Sequence, residues 1–248
     1  MSLAQIKIVL VEPAGPLNVG SVARVMKNMG LQQLILVRPN CDPLGPEARL
    51  MAVHGLDILR KVQKVGSLSE ALQGCQEIIA TTARPRSLLT PLETPHQALP
   101  GLLASNFPSA LIFGPEDRGL SNEELNYAQR FICIPTNQAY PSLNLAQSVT
   151  ICAYELYQAA QIPRELPSTS PKKLASFDIV EGYYQHLETV LLKIGYLFPH
   201  TAKAKMKKLR RLYNRSKLSA EEVALLRGVL GHINSIWQHL HDNYSHKN

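Results

Sequence analysis

The sequence predicts an α/β fold, a parallel sheet with helices on both faces, followed by a small all-α extension. Two observations predict the sheet: short β-branched apolar runs alternate with amphipathic stretches, and the alternation persists to about residue 160. A third predicts the extension. After a proline- and serine-rich stretch only helical periodicity remains.

The strand candidates are Ile6–Val11, Leu34–Val37, Val62–Val65, Ile78–Thr81, Ala110–Phe113 and Phe131–Ile134. Each is short and bounded by glycine, proline or asparagine, as strands buried on both faces tend to be. Helices are expected at Val19–Met29, Pro46–Leu59, Ser69–Gln73, Pro95–Leu103 and Asn122–Ala128, with a longer one, Leu143–Gln161, closing this part. These elements form an expected domain over residues 1–161. Residues 162–176 read as a linker, with three prolines and little apolar content to bury. Residues 177–248 then read as three helices, about Asp178–Ile194, His200–Asn214 and Ser219–Asp242. Ser219 followed by Glu222 is a capping box that marks the start of the last.

The formal net charge is +7, and its location is more telling than its size. Residues 1–165 carry 13 basic and 13 acidic side chains, whereas residues 166–248 carry 13 basic against 6 acidic. The whole excess sits in the extension. On charge alone, a solvated helical face and a face for a polyanion fit equally well. Between Lys203 and Lys217, eight of fifteen residues are Lys or Arg and none is acidic. Met206, Leu209, Leu212 and Tyr213 fall on one side of that helix and are expected to pack inward. Lys203, Lys207, Lys208, Arg210, Arg211 and Arg215 are the candidate residues for a polyanion, which the resemblance described below makes RNA. No stretch reaches the roughly 18 apolar residues of a membrane span, and Met1–Val11 lacks the basic start of a signal peptide. The four cysteines form no C-x-x-C pair, and a reducing cytoplasm is the expected compartment. His200, His232, His239 and His241 read as parts of helical faces, so no metal site is expected.

Three loops carry residue types that chemistry needs. Asn18-Val-Gly-Ser-Val-Ala-Arg24 follows the first strand, where Gly15 and Pro16 bend the backbone and a helix N-terminus could receive an anion. Phe113-Gly-Pro-Glu-Asp-Arg-Gly-Leu120 puts Gly114, Glu116 and Gly119 at the end of an apolar strand, where parallel sheets bind ligands. Gly114 is expected to mark the closest approach of backbone to ligand. The third loop runs from Ile134 through Tyr140, Ser142 and Leu143 to Asn144, and it is longer than most βα connections. Ser142 or Asn144 could cap the helix that follows. No G-x-G-x-x-G follows the first strand, because Gly15 and Gly20 are wrongly spaced, which weighs against a dinucleotide-binding enzyme.

In order and spacing, NxGxxxR, FGxExxGL and IPxxxxxxSLNLAxS resemble the SpoU/TrmH branch of the SPOUT methyltransferases over residues 5–160. The C-terminal LFPHTAKAKMKKLRRLYNRSKLSAEEVALLRGVL is similar to the appendage of TrmJ-type enzymes, which methylate nucleotide 32 of tRNA anticodon loops. The resemblance implies a C-terminal trefoil knot in the α/β domain, which periodicity could not have suggested. It implies a homodimer and transfer of a methyl group from S-adenosylmethionine to a ribose 2′-hydroxyl of tRNA. The cofactor is then expected among Thr81, Thr82 and Ala83, Gly114 and Gly119, and Ile134, Ser142, Leu143 and Asn144. Arg24, Asn18, Glu116, Ser142 and Asn144 are the expected catalytic set. Arg24 is expected near the cofactor of the other subunit and, with Tyr140, against the RNA, while Glu116 is expected to orient Arg24 or its own loop. The alternatives are a sibling acting on ribosomal RNA or another tRNA position, and a silent RNA-binding relative. The intact motif residues weigh against silence.

Overall fold

The computed structural model describes residues 3–83, 91–103, 107–162 and 173–245, and of 241–245 the backbone only. Most of the expected linker over 162–176 lies outside the described residues. The chain divides into two compact units, Met1–Pro171 and Lys172–Asn248.

The first unit is built on a seven-stranded, all-parallel sheet. Its strands are β1 (Ile6–Val11), β2 (Gln33–Val37), β3 (Gln63–Val65), β4 (Glu77–Thr81), β5 (Leu92–Glu93), β6 (Ser109–Phe113) and β7 (Arg130–Ile132). Their order across the sheet is β3-β2-β1-β6-β4-β7-β5. The six expected strands are present; the two-residue β5 was too short to leave a pattern. Along β1, every residue but Lys7 is buried, as covering both faces of a parallel sheet requires. Lys7 escapes by donating to the carbonyls of Ala71 and Gln73 at 3.2 and 2.7 Å.

Helices α1 (Pro16–Asn28), α2 (Pro46–Ala52), α3 (Leu56–Arg60), α4 (Leu68–Ala71), α5 (Pro95–Ala98), α6 (Asn122–Leu125) and α7 (Leu145–Gln161) complete the unit. Val19, Val22, Ala23 and Met26 of α1 share one core with Val149, Cys152, Ala153 and Leu156 of α7 and with Ile8, Leu10, Leu111 and Phe113 of the sheet. The helix expected over Pro46–Leu59 is broken in two. Val53 has φ of +48°, outside the right-handed helical region, and a short 3₁₀ turn, Val53–Gly55, separates α2 from α3. Gly20 and Gly55 make this packing possible. A Cβ on Gly20 would stand 2.2 Å from the Ala48 carbonyl oxygen, and one on Gly55 would stand 2.6 Å from that of Ala23. The motif-one glycine is therefore a contact between helices.

The second unit is three helices, α8 (Phe177–Lys193), α9 (Pro199–Asn214) and α10 (Ala220–Ser245). The capping box before α10 forms as the spacing predicts: Ser219 N donates to Glu222 Oε2 at 2.7 Å, and Glu222 N donates to Ser219 Oγ at 3.2 Å. Tyr183, Tyr184, Leu187, Met206, Val223 and Leu230 form its core, with Leu209 and Tyr213 packed against them. Leu212 does not join them. It is half exposed, and Ala202 takes the inward place one turn before Met206.

Candidate active site

Strands β6, β4 and β7 are neighbours, so the loops leaving their carboxyl ends converge. Thr81, Thr82 and Ala83, then Gly114 and Gly119, then Ile134, Ser142 and Leu143 line a single cavity of about 290 Å³. That volume is near the lower end of small-molecule sites, roughly 300–1,000 Å³. Asn144 does not line it. The sequence analysis missed Asp117, Arg118, Leu145 and Ser148, which also line the cavity. Asp117 and Arg118 fall at unspecified positions of the second motif, whereas Leu145 and Ser148 are fixed positions of the third and could have been read from it.

Each loop is held by its own chemistry. Thr81 Oγ1 donates to the Ile112 carbonyl at 3.0 Å, tying the end of β4 to β6. Gly119 N donates to the Pro115 carbonyl at 2.9 Å, and Gly119 has φ of +64°, which favours glycine. A Cβ there would meet nothing within 4 Å, so the wall is open at this point. Gly114 lines the cavity and is needed by its own loop as well. A Cβ on it would lie 2.3 Å from Leu120 N and 2.4 Å from Gly119 C, so its bareness lets the loop fold on itself. Tyr140, 79% exposed, stands at the rim after a turn in which Tyr140 N donates to the Asn137 carbonyl at 3.1 Å.

Asn18 joins the three motifs. Its Nδ2 donates to Glu116 Oε1 at 2.7 Å, and its Oδ1 accepts from Asn144 Nδ2 at 2.9 Å. Glu116 Oε2 in turn accepts from Ala14 N at 3.2 Å. Glu116 thus orients Asn18 and the loop before α1. Within the single chain, no hydrogen bond or ion pair links it to Arg24 among the described residues. Its carboxylate also lies beside the start of α1, a place the sequence left open to a ligand. Asn144, not Ser142, caps α7: its Oδ1 accepts from Ala146 N and Gln147 N at 2.8 and 3.3 Å, and Gln147 Oε1 accepts from Asn144 N at 3.2 Å. Ser142 is exposed at the cavity wall. Arg24 is exposed on α1 and outside the cavity.

A second network braces the same loop. Arg118 donates to Glu12 Oε2 at 2.6 Å and to Glu124 at 3.0 and 3.1 Å, while Arg38 donates to Glu12 Oε1 at 3.0 and 2.7 Å. Glu12 and Arg38 both take φ near +45°, at +48° and +45°, directly after β1 and β2. Hydrogen bonding from Arg118, then from Arg38, holds the Glu12 carboxyl below its ordinary value. For Glu124, burial pushes upward, but Arg118 and the Ser121 N–H outweigh it and the net shift is down.

Models of known families match both units. The SpoU rRNA Methylase family covers residues 5–154. This chain belongs to that family. A second match, the C-terminal domain of the tRNA methyltransferase TrmJ, covers residues 178–243. The chain is 40% identical over 240 residues to the tRNA (cytidine/uridine/adenosine-2′-O-)-methyltransferase TrmJ of Pseudomonas aeruginosa, covering 92% of this chain and 93% of that one. It is also 40% identical over 240 residues to the tRNA (cytidine/uridine-2′-O-)-methyltransferase TrmJ of Pectobacterium atrosepticum, covering 93% and 97%. The crystal structure of TrmJ from Z. mobilis matches with a TM-score of 0.82 at 32% identity, over 92% of this chain and 98% of that one.

The candidate RNA-facing residues of the second unit divide in two. Lys203, Lys208 and Arg215 are exposed, and Lys207 and Arg211 are partly so. Arg210 turns inward. Its two terminal nitrogens donate to the two carboxylate oxygens of Glu181, both at 2.6 Å, and its guanidinium lies 4.5 Å from the centre of the Tyr184 ring. Such a fork-to-fork pair, stacked on an aromatic face, holds α9 to α8. Arg210 is a packing residue, which the run of basic residues concealed.

The lowered carboxylates predict an acid response. A glutamate with a depressed folded value stabilises above its ordinary 4.5, and that stability is lost as pH falls through the folded value. The thermal midpoint of the first unit should drop on acidification below about pH 4.5. Arg118→Gln should lower it at neutral pH and shrink the further drop. An equally large acid-induced drop in Arg118→Gln, followed by circular dichroism, would show that these carboxylates do not set it.

Proposed function

We propose that this protein transfers the methyl group of S-adenosylmethionine to a ribose 2′-hydroxyl of tRNA, at nucleotide 32 of the anticodon loop. The observation that carries this reading is the convergence of all three family motifs. Two of them line one cavity, and Asn18 of the first is hydrogen-bonded to Glu116 and Asn144 of the other two. The likeness of both units to tRNA methyltransferases supports the choice of substrate.

The cavity suits the cofactor in kind. Leu143 and Leu145 offer apolar surface, Thr82 and Ser142 offer hydroxyls, and Asp117 offers a carboxylate to a cationic ligand. When bound, the cofactor supplies an electrophilic methyl on a sulfonium, which leaves as a neutral thioether. The protein's part is position. Holding two reactants in line is worth roughly 7–11 kcal/mol, so no metal or His–Asp pair is needed. Arg24 does not act as a base, because a guanidinium offers N–H donors and no acceptor. It clamps the phosphate beside the target ribose and stabilises charge developing on the 2′-oxygen, whose proton passes to phosphate, Ser142 or water.

Arg24 lies outside the cavity of its own chain, which, with family membership, supports its serving the site of a second copy. The enzyme is then a homodimer with shared active sites. Tyr154 and Tyr157 on α7 and Leu17 on α1 are exposed in the single chain and offer apolar surface for that contact. The expected trefoil knot is part of the same reading and rests on family membership. So does a cytoplasmic location; no described helix is long and apolar enough to cross a membrane. The second unit, taken as an appended substrate-binding domain, grips the RNA through phosphate contacts from Lys207, Lys208, Arg211 and Arg215.

Mapping ribose methylation in tRNA from a deletion strain tests the substrate. The methyl at position 32 should vanish and return with the wild-type gene; retention of that methyl in the deletion strain would refute the assignment. For the dimer, Arg24→Ala and Asn144→Ala should each be strongly impaired alone, and mixing them should restore part of the lost activity. No recovery, with subunit exchange shown independently, would rule out a shared site.

A further inference from the structure

The turn joining α8 to α9 presents two aromatic rings for which the second unit itself has no use. After α8, Gly195 takes φ of +78° and reverses the chain. Leu197 N then donates to the Leu191 carbonyl at 2.9 Å, and the Leu197 side chain is buried in the helical core. With Leu197 anchored inward, its two neighbours point out: Tyr196 is 56% exposed and Phe198 is 52% exposed. Both rings are nevertheless held. Lys205 Nζ donates to the Tyr196 carbonyl at 3.1 Å and stands 4.8 Å from the centre of the Tyr196 ring. Phe198 stacks on His200 with ring centres 5.9 Å apart and planes within 21°.

We propose that Tyr196 and Phe198 form a stacking platform for unpaired nucleobases of the RNA, a site that rests on the tRNA-binding reading of this unit. A singly exposed apolar residue needs no explanation, but two oriented planes beside a lysine are the chemistry that binds single-stranded RNA. The charge points the same way, since the platform opens α9, whose lysines and arginines carry much of the chain's positive excess. A base-paired stem hides the faces of its bases, so the occupant is a loop or an end of the RNA. The basic face of α9 then supplies affinity for any backbone, while the platform selects for nucleotides that can be splayed out.

The test uses the full chain and two RNA probes of equal phosphate count, a hairpin with an unpaired loop and a continuous duplex. Tyr196→Leu combined with Phe198→Leu keeps apolar bulk and removes the rings. It should weaken hairpin binding by about 5- to 150-fold, the range expected when stacking of one base is lost. Duplex binding and the salt dependence of hairpin binding should not change, because no phosphate contact is removed. Tyr196→Phe combined with Phe198→Tyr keeps both planes and should bind as the wild type does. Unchanged hairpin affinity in the leucine variant would overturn the platform. So would an equal loss on both probes, or a change in oligomeric state with RNA binding intact, which would assign the rings to a protein contact. A wild-type chain that neither binds nor methylates tRNA would instead refute the parent reading.

Discussion

Everything at the candidate active site depends on one side chain keeping two hydrogen bonds. Asn18 sits in the first turns of α1, between Glu116 at 2.7 Å and Asn144 at 2.9 Å. Its amide can satisfy both because it donates from one end and accepts at the other. The sheet makes the meeting possible. In the β1–β6 pairing, Leu10 lies opposite Phe113, so the two chains leave the sheet side by side and the loops carrying Asn18 and Glu116 start together. Asn144 completes the contact by capping α7, which shares its core with α1. The Arg118 bridges to Glu12 and Glu124 then fix the loop from its other side.

This arrangement separates holding from reacting. Asn18, Glu116 and Asn144 hold one another in place. Ser142 and Tyr140 line the cavity and are exposed, and Arg24 is exposed outside it. A methyl transfer driven by position needs such a division, because small displacements of the reacting atoms cost rate steeply. The second unit divides in a similar way. Arg210 and Glu181 lock two helices together, while Lys203, Lys208 and Arg215 stay on the surface.

Much of this was legible in the sequence, because buried parallel strands and capping boxes leave strong local patterns. The six longer strands and the Ser219–Glu222 box are examples. The second and third motifs and the end of β4 also bring the expected cofactor residues, apart from Asn144, to one cavity. What escaped was set by tertiary contact. Arg210 sits in a basic run and only its approach to Glu181 and Tyr184 turns it inward. Leu212 has the right period for the core but no facing partner. Val53 breaks a helix whose periodicity was intact, where α2 and α3 must pack closely against α1. Gly114 lines the cavity, but only the folded loop shows that its missing Cβ is also what lets Leu120 N approach.

Asn18 and Asn144 act as one unit that holds the motifs in register. A double-mutant cycle on kcat/KM for tRNA methylation, using Asn18→Ala, Asn144→Ala and the pair, measures this directly. Residues that act together lose most of their effect in the first substitution, so the pair should cost much less than the two single losses multiplied. Losses that simply multiply would mean the two asparagines act independently, and the account would be contradicted.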